Sequence, residues 1–241
     1  MTRIFLCLLA LLAAAPARAD VYGGFEEFAD SGALRPFSRD LGGVLGSATY
    51  HSGRSLGFSG FDIGARVGAQ LSPDKDDRIL RNKGVRSFGL PWIQAEIGLP
   101  YRFDGFIRGI SYEGLTIAGG GLRYGLLKSS DKAWAPQLLV SAVAHSVVHQ
   151  HFSASHLGGN LVFSMGTPKF NPYLGAGLDR TNLVVRSSRL DPAINGATVT
   201  TAESRFTAGM RLRLWTFGYL NAAYNVVHGT SGAEAGLGVR F

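Results

Sequence analysis

The sequence predicts an all-β protein: an antiparallel transmembrane β-barrel of about ten strands, with a short N-terminal helical segment in or under the lumen. Three observations carry this expectation. From Gly57 to the end, apolar residues alternate with polar residues or glycine in segment after segment, the period of a strand with one oily and one wet face. The last nine residues, Ala233 to Phe241, keep apolar side chains on every odd position and finish on an aromatic ring. The chain opens with Arg3, an apolar run from Ile4 to Ala15 and then Ala17-Arg18-Ala19, the form of an export signal with a small-x-small cleavage site.

Residues 1–19 are therefore expected to be a cleaved signal peptide. The run Ile4 to Ala15 is shorter than the roughly 18 residues a spanning helix needs, and no other stretch approaches that length, which excludes a helical membrane protein. Cys7 lies inside the run and Asp20 begins the mature chain, which argues against a lipid anchor. Because Cys7 is the only cysteine, the mature chain is expected to have neither a disulfide scaffold nor thiol chemistry. Less Arg3 and Arg18, the 24 basic residues become 22 against 17 acidic, a surplus of +5. The basic residues are scattered at strand spacing, not gathered in a patch, so nucleic acid is not an expected partner. The 33 glycines suit a closely wound barrel.

Residues 20–56 depart from the strand pattern and are expected to form a plug-like segment. Phe37, Leu41, Val44, Leu45 and Ala48 recur at helical spacing after Pro36, a good helix-start residue. Gly42 and Gly43 would each weaken an isolated helix by about 1 kcal/mol, so this helix requires packing, in or under the lumen.

The barrel is expected over 57–241. Its first strand, about 57–71, places Ile63, Ala65, Val67, Ala69 and Leu71 opposite Asp62, Arg66 and Gln70. The second, about 88–102, sends Ile93, Ala95, Ile97, Leu99 and Tyr101 outward with Gln94 and Glu96 inward. After a tight turn at Asp104-Gly105 come Phe106 to Tyr112 and Leu115 to Leu127, the latter with Arg123 facing in. Gln137 to His149 is apolar on both faces; Val140, Ala142 and Ala144 are assigned outward. Leu157, Leu161, Phe163 and Met165 then alternate with Asn160 and Ser164, and Tyr173 to Val185 follows. Arg205 to Leu214 opposes Arg205, Thr207, Arg211 and Arg213 to Phe206, Ala208, Met210 and Leu212. A charge facing lipid near mid-bilayer costs roughly 2–4 kcal/mol, so these arginines are expected in the lumen. Gly218 to Val227 and the terminal strand complete the set.

If both barrel ends face the periplasm, the loops after odd-numbered strands are extracellular, and the two longest, Ser72 to Ser87 and Ser187 to Thr201, fall in that set. The very short Trp215-Thr216 and Asp104-Gly105 fall in the other.

A resemblance sharpens the reading. Phe170-Asn171-Pro172-Tyr173-Leu174-Gly175-Ala176-Gly177-Leu178, Phe206-Thr207-Ala208-Gly209-Met210 and Gly236-Leu237-Gly238-Val239-Arg240-Phe241 resemble an uncharacterised family of bacterial outer-membrane β-barrel proteins. So does the order of Gly57-Phe58 to Gly68, Gly98-Leu99-Pro100 and Gly119 to Tyr124. The pattern is distantly similar to the long-chain fatty-acid transporters of the outer membrane, which also have an N-terminal plug. The resemblance implies outer-membrane placement and carries no catalytic or ligand-binding residue over. The closing strand resembles the membrane-assembly signal of such barrels, on Ala235, Leu237, Val239 and Phe241. Outer-membrane lipids and the barrel-assembly machinery are then the implied partners, with a small solute if a passage is open.

The inward charges are expected to be Asp62, Arg66, Glu96, Arg123, Arg205, Arg211, Arg213, Glu234 and Arg240. They admit a basic pore for anions or a nearly sealed lumen in which acids and arginines pair; the second fits ten strands around a plug better. His145, His149, His151 and His156, with Ser146, Ser153 and Ser155, cluster around one extracellular hairpin. They suggest as an alternative a lipid-modifying hydrolase using His145, His149 or His156, or a metal site, against the plainer reading of a wet loop. Trp92, Trp134, Trp215, Tyr101, Tyr112, Tyr124 and Tyr219 are assigned to interfacial girdles. Asp74 to Asp77 lacks the glycine and bidentate glutamate of a calcium loop and reads as a solvated loop. The leading expectation is a non-enzymatic outer-membrane barrel without cofactor or metal: a narrow channel, a transporter of small or amphiphilic molecules, or a structural component. A soluble periplasmic ligand-binding barrel is the third reading, and an outward apolar band would discriminate against it.

Overall fold

Ten antiparallel strands close on themselves in the computed structural model, which describes residues 20–130 and 132–241; the expected signal peptide lies outside the described residues. The strands are β1 (Phe61–Gln70), β2 (Phe88–Gly98), β3 (Phe103–Tyr112), β4 (Leu115–Gly125), β5 (Gln137–Val148), β6 (Phe152–Ser164), β7 (Phe170–Val185), β8 (Thr198–Arg213), β9 (Gly218–Val227) and β10 (Thr230–Arg240). Each pairs with its sequence neighbours, and β1 closes the barrel on β10 with Asp62 opposite Arg240 and Val67 opposite Ala235. No sheet edge is left open, so every strand has a partner on both sides.

Alternation decides the orientation of the wall. Leu178, Ile107, Phe206 and Leu174 are more than half exposed on the outside, while Asp62, Glu96, Asp179 and Arg205 are buried within. The outward positions form a continuous apolar belt. Near the end bearing the two long loops, that belt gives way over β3 to β8 to a polar arc of Ser111, Thr116, Ser146, Ser155, Asn182 and Thr200. Among the described residues, Arg180 is the single charged residue on an outward strand position, one rung below that arc. The barrel is thus apolar outside and charged inside, the reverse of a water-soluble globule.

Several boundaries differ from those expected. β1 starts at Phe61 because 57–60 turn, with Gly57 at φ 83°. Asp104-Gly105 is part of β3, not a turn: the chain reverses over Pro100–Arg102, where Tyr101 and Arg102 both take positive φ, and the Asp104 carboxylate points inward and accepts from Leu56 N at 2.9 Å. β8 begins at Thr198, so the loop before it is shorter than expected. The two-residue connection Glu113-Gly114 is real, with φ 46° and 76° as a type I′ hairpin turn requires.

The N-terminal segment folds as α1 (Gly24–Phe28) and α2 (Leu34–Gly46), which meet α3 (Arg78–Asn82) of the β1–β2 loop. These elements sit in and over the loop end of the lumen, not under the opposite end. α2 packs on β7 and β8, with Phe37, Leu41, Val44 and Leu45 buried. Phe25, Phe37 and Phe152 close the loop end with ring centroids 4.8 to 5.2 Å apart. Residues 47–56 then descend the lumen to the end where β1 begins and β10 finishes, the terminal end.

Gly42 and Gly43, which read as weaknesses of a helix, are points of close approach. A Cβ on either would collide with the side chain of Thr181 or Gln70 on the wall. The wall reciprocates: a Cβ on Gly68 would strike Ser47, and one on Gly175 the Tyr50 ring. Glycine here shortens the distance between plug and barrel.

Candidate functional site

The candidate site is the lumen. Its centre is Glu96, which accepts from Arg66 Nη2 and Gln94 Nε2 at 2.6 Å each and is paired with Arg123. Arg66 also donates to Thr49 O at 3.1 Å and lies 3.9 Å from Asp62, whose Oδ1 accepts from the Tyr219 hydroxyl at 2.7 Å. On the opposite wall Arg205 Nε meets Asp179 Oδ2 at 2.9 Å and its Nη2 donates to Asn160 Oδ1 at 2.8 Å. Asn225 donates to Glu234 at 2.8 Å. A charge taken out of water needs an opposite charge or hydrogen bonds to hold it: Asp62, Glu96 and Asp179 meet arginines, and Glu234 is held by its hydrogen bond from Asn225.

The wall arginines also bind the plug. Helix α2 ends at Gly46 with its last carbonyls aimed down the lumen, where they need donors and favour positive charge. Arg108 donates to Ser47 O at 3.1 and 3.2 Å and to Thr49 Oγ1 at 3.1 Å, with its guanidinium 3.7 Å from the Trp92 ring. Lower down, Gly53 N donates to Ser164 Oγ at 2.9 Å, and Arg240 Nη2 donates to Ser55 O at 2.9 Å. Tyr50 meets Tyr173 edge-on at 6.0 Å. The segment is held along its length by side chains from strands around the wall.

At the loop end a second network ties three segments. Asp40 of α2 is buried; its Oδ1 faces His228 Nε2 at 2.9 Å and its Oδ2 accepts from Asp74 N at 2.8 Å. Asp77 is buried beside it and caps α3 by accepting from Leu80 N at 3.0 Å. Burial pushes Asp40 up to about 7, and burial reinforced by the Asp40 charge pushes Asp77 up to about 8, so the pair retains a proton near neutrality. Burial, then the Arg39 charge, lowers His228. Arg39 itself bridges Glu203 at 2.8 Å and Asp74 at 3.6 Å.

Of the inward charges expected, Asp62, Arg66, Glu96, Arg123, Arg205 and Glu234 are buried in the lumen. Arg211 and Arg240 are half-buried at the terminal end, and Arg213 is exposed there, with Nε donating to Thr216 O at 3.0 Å across the β8–β9 turn. Arg213 ends its strand, so its inward parity carries it past the wall. Arg108, Asp104 and Asp179 belong to the lumen and were not among those expected. Arg108 sits between Ile107 and Gly109, and Phe106 faces in with it, so alternation alone left the phase of β3 open.

Other assignments are corrected. Trp92 and Tyr219 are buried in the lumen and do not belong to the girdles; they share parity with Gln94 and Glu96, and with Asn221 and Asn225. Asp74 and Asp77 are buried, because α1 and α2 cover the loop. His145 and His156 face each other across β5 and β6 inside the lumen, with rings 5.5 Å apart, and do not lie on a rim loop. His156 Nε2 lies 3.4 Å from Asp179 and Nδ1 is 3.1 Å from Thr181 Oγ1. Ser146 and Ser155, adjacent in sequence to these histidines, point to the outer face, so the supposed Ser–His pairing is not formed. His149 and His151 lie in the β5–β6 turn against Asp20 and Glu26, at 3.6 and 3.7 Å. Among the described residues no three His, Cys, Asp or Glu side chains converge as metal ligands.

No protein-family model matches the chain, and no curated protein does. Solved structures do resemble it. The N-terminal β-barrel domain of Pseudomonas aeruginosa OprF is 16% identical, with 77% of this chain and 99% of that chain covered at a TM-score of 0.40. Neisserial surface protein A is 16% identical over 75% of this chain and 95% of its own, TM-score 0.32. The KdgM porin is 7% identical over 75% and 99%, TM-score 0.38. At these identities the likeness is one of barrel architecture alone.

Proposed function

We propose that the protein is a non-enzymatic barrel of the bacterial outer membrane whose lumen is closed by its own N-terminal segment, a structural membrane component and not a standing pore. The observation that carries this is the occupation of the lumen by residues 34–56, bonded to the wall through Arg66, Arg108, Ser164 and Arg240. Membrane placement rests on the apolar belt. Residues such as Leu178, 73% exposed, and Ile107, 70% exposed, would each forfeit burial at about 25 cal/mol per Å² in water. A soluble periplasmic barrel has no use for such a belt, and lipid is its natural solvent. Extracellular placement of the loop end follows from its long loops and polar arc.

The absence of an enzymatic role is part of the same proposal. The His156–Asp179 pair lies under α2, where Gly42 closes on Thr181, and the outward Ser146 and Ser155 are on the other side of the wall from it. A narrow channel or transporter would require the segment to leave the lumen.

Planar-bilayer recording of the refolded mature chain tests the proposal. A flat baseline across the voltage range is the expected result. Reproducible single-channel steps from the intact chain would overturn it, and quantitative recovery of the native protein from membranes without detergent would overturn the placement.

A further inference from the structure

Basic side chains gather at the terminal end of the lumen. There, below residues 54–56, lies a cavity of about 350 Å³ whose lining includes Arg211, Arg213, Arg240 and Lys132. Among the described residues no Asp or Glu side chain lines it. Of the nearest acids of the lumen, Glu96 is shared by Arg66 and Arg123, and Asp62, opposite Arg240 in the β1–β10 register, accepts from Tyr219 and lies 3.9 Å from Arg66.

The three arginines are positioned by groups other than described carboxylate side chains. Arg240 is fixed by its bond to Ser55 O at 2.9 Å, and Arg213 by its bonds to Trp215 O at 3.2 Å and Thr216 O at 3.0 Å. Backbone carbonyls hold a guanidinium in place but leave its charge uncompensated. Arg211 lies 5.9 Å from the Tyr219 ring centroid, and none of the three has a described carboxylate side chain within 4.0 Å. Guanidinium forks gathered on one cavity form a receptor for oxyanions, since each fork can take two oxygens of one group.

We propose that this cavity binds a small soluble polyanion carrying two or more phosphate groups. Arg211 and Arg240 lie on the inward faces of their strands, away from the apolar belt, so a free solute and not a membrane headgroup is the proposed occupant. Its arrival from the periplasm rests on the orientation proposed above; binding itself does not.

The test is isothermal titration of the refolded mature chain, in an uncharged maltoside detergent, with inorganic pyrophosphate at fixed sodium chloride. Saturable binding at one site is expected, weakened about tenfold or more by Arg211→Gln and by Arg240→Gln and unchanged by Arg180→Gln on the outer face. Arg211→Gln removes no hydrogen bond that ties the plug, so it remains informative if Arg240→Gln fails to fold, with gel mobility of the unheated protein as the fold check. Absence of saturation, or equal loss on Arg180→Gln, overturns the proposal. So does binding that both lumen variants retain, which would mark adventitious electrostatic attraction only. A conducting barrel that still binds pyrophosphate through Arg211 would overturn the sealed-lumen reading and leave this site standing.

Discussion

Replacing Glu96 by alanine removes the carboxylate on which the lumen's central charges converge. The Glu96 side chain is 1% exposed, and its partners Arg66 and Arg123 are 1% and 3% exposed. Removing one member of a buried ion pair costs about 3–5 kcal/mol, because the partner's charge stays buried without compensation. Two features place Glu96→Ala near the lower figure. Arg66 keeps Thr49 O at 3.1 Å and the Asp62 carboxylate at 3.9 Å, and Arg123 keeps Asp104 at 3.6 Å. A loss of roughly 3 kcal/mol is therefore expected, about a hundredfold in the folding equilibrium. The assay is equilibrium urea unfolding in lipid vesicles followed by tryptophan emission, with heat-modified gel mobility as the check on folding. Removing Arg123 as well, in Glu96→Ala/Arg123→Met, should recover part of the loss, since both halves of one pair are then gone. A single variant within about 0.5 kcal/mol of the parent would refute the reasoning, because it would mean that water already screens these charges.

The other predictions concern the plug. Asp40 and Asp77 are raised above the unfolded carboxylate value, so the stability they contribute is full below about pH 4 and is lost as pH rises through about 7 to 8. Asp77→Asn should flatten that decline in thermal midpoints measured from pH 4 to 8; an unchanged slope would show that the pair does not titrate there. Arg108→Leu deprives the C-terminus of α2 of its donors at 3.1 and 3.2 Å and should cost about 1–3 kcal/mol, with faster amide exchange confined to residues 44–50. Gly175→Ala should cost about 1–3 kcal/mol by forcing the Tyr50 ring off the wall, and pairing it with Tyr50→Ala should remove most of that penalty.

The wall was legible because each strand answers two solvents at once. Alternation placed Asp62, Arg66, Glu96 and Arg205 correctly, and β9 was read with its observed ends, Gly218–Val227. Where both faces carry apolar side chains the signal fades, as at Phe106 and Ile107, and Arg108 was missed for that reason. Trp92 and Tyr219 were misplaced although parity with Glu96 and Asn221 was available, because an aromatic residue near a strand end suggested an interface. The helix was legible from Phe37, Leu41 and Leu45, and its place in or under the lumen from the glycines that require packing; the end it enters was not. Which carbonyl meets Arg66 or Arg108, and which side chain fills the space left by Gly42 or Gly175, depends on how the segment threads the barrel, and no local pattern records that. The same holds for Asp77, a polar loop residue by composition and a buried partner of Asp40 by assembly.

The sealed-lumen reading turns on α2 standing inside the wall, and a disulfide tests that position. Ser38 Oγ on α2 and Thr201 Oγ1 on β8 are 3.1 Å apart, a spacing that brings two cysteine sulfurs within bonding reach. With Cys7 in the segment expected to be cleaved, the mature chain supplies a cysteine-free background. Ser38→Cys/Thr201→Cys, refolded into vesicles and mildly oxidised, should cross-link nearly completely and run as a faster band without reductant. An uncross-linked protein, with both thiols open to a water-soluble maleimide while the barrel remains folded, would place the helix outside the lumen and contradict the account.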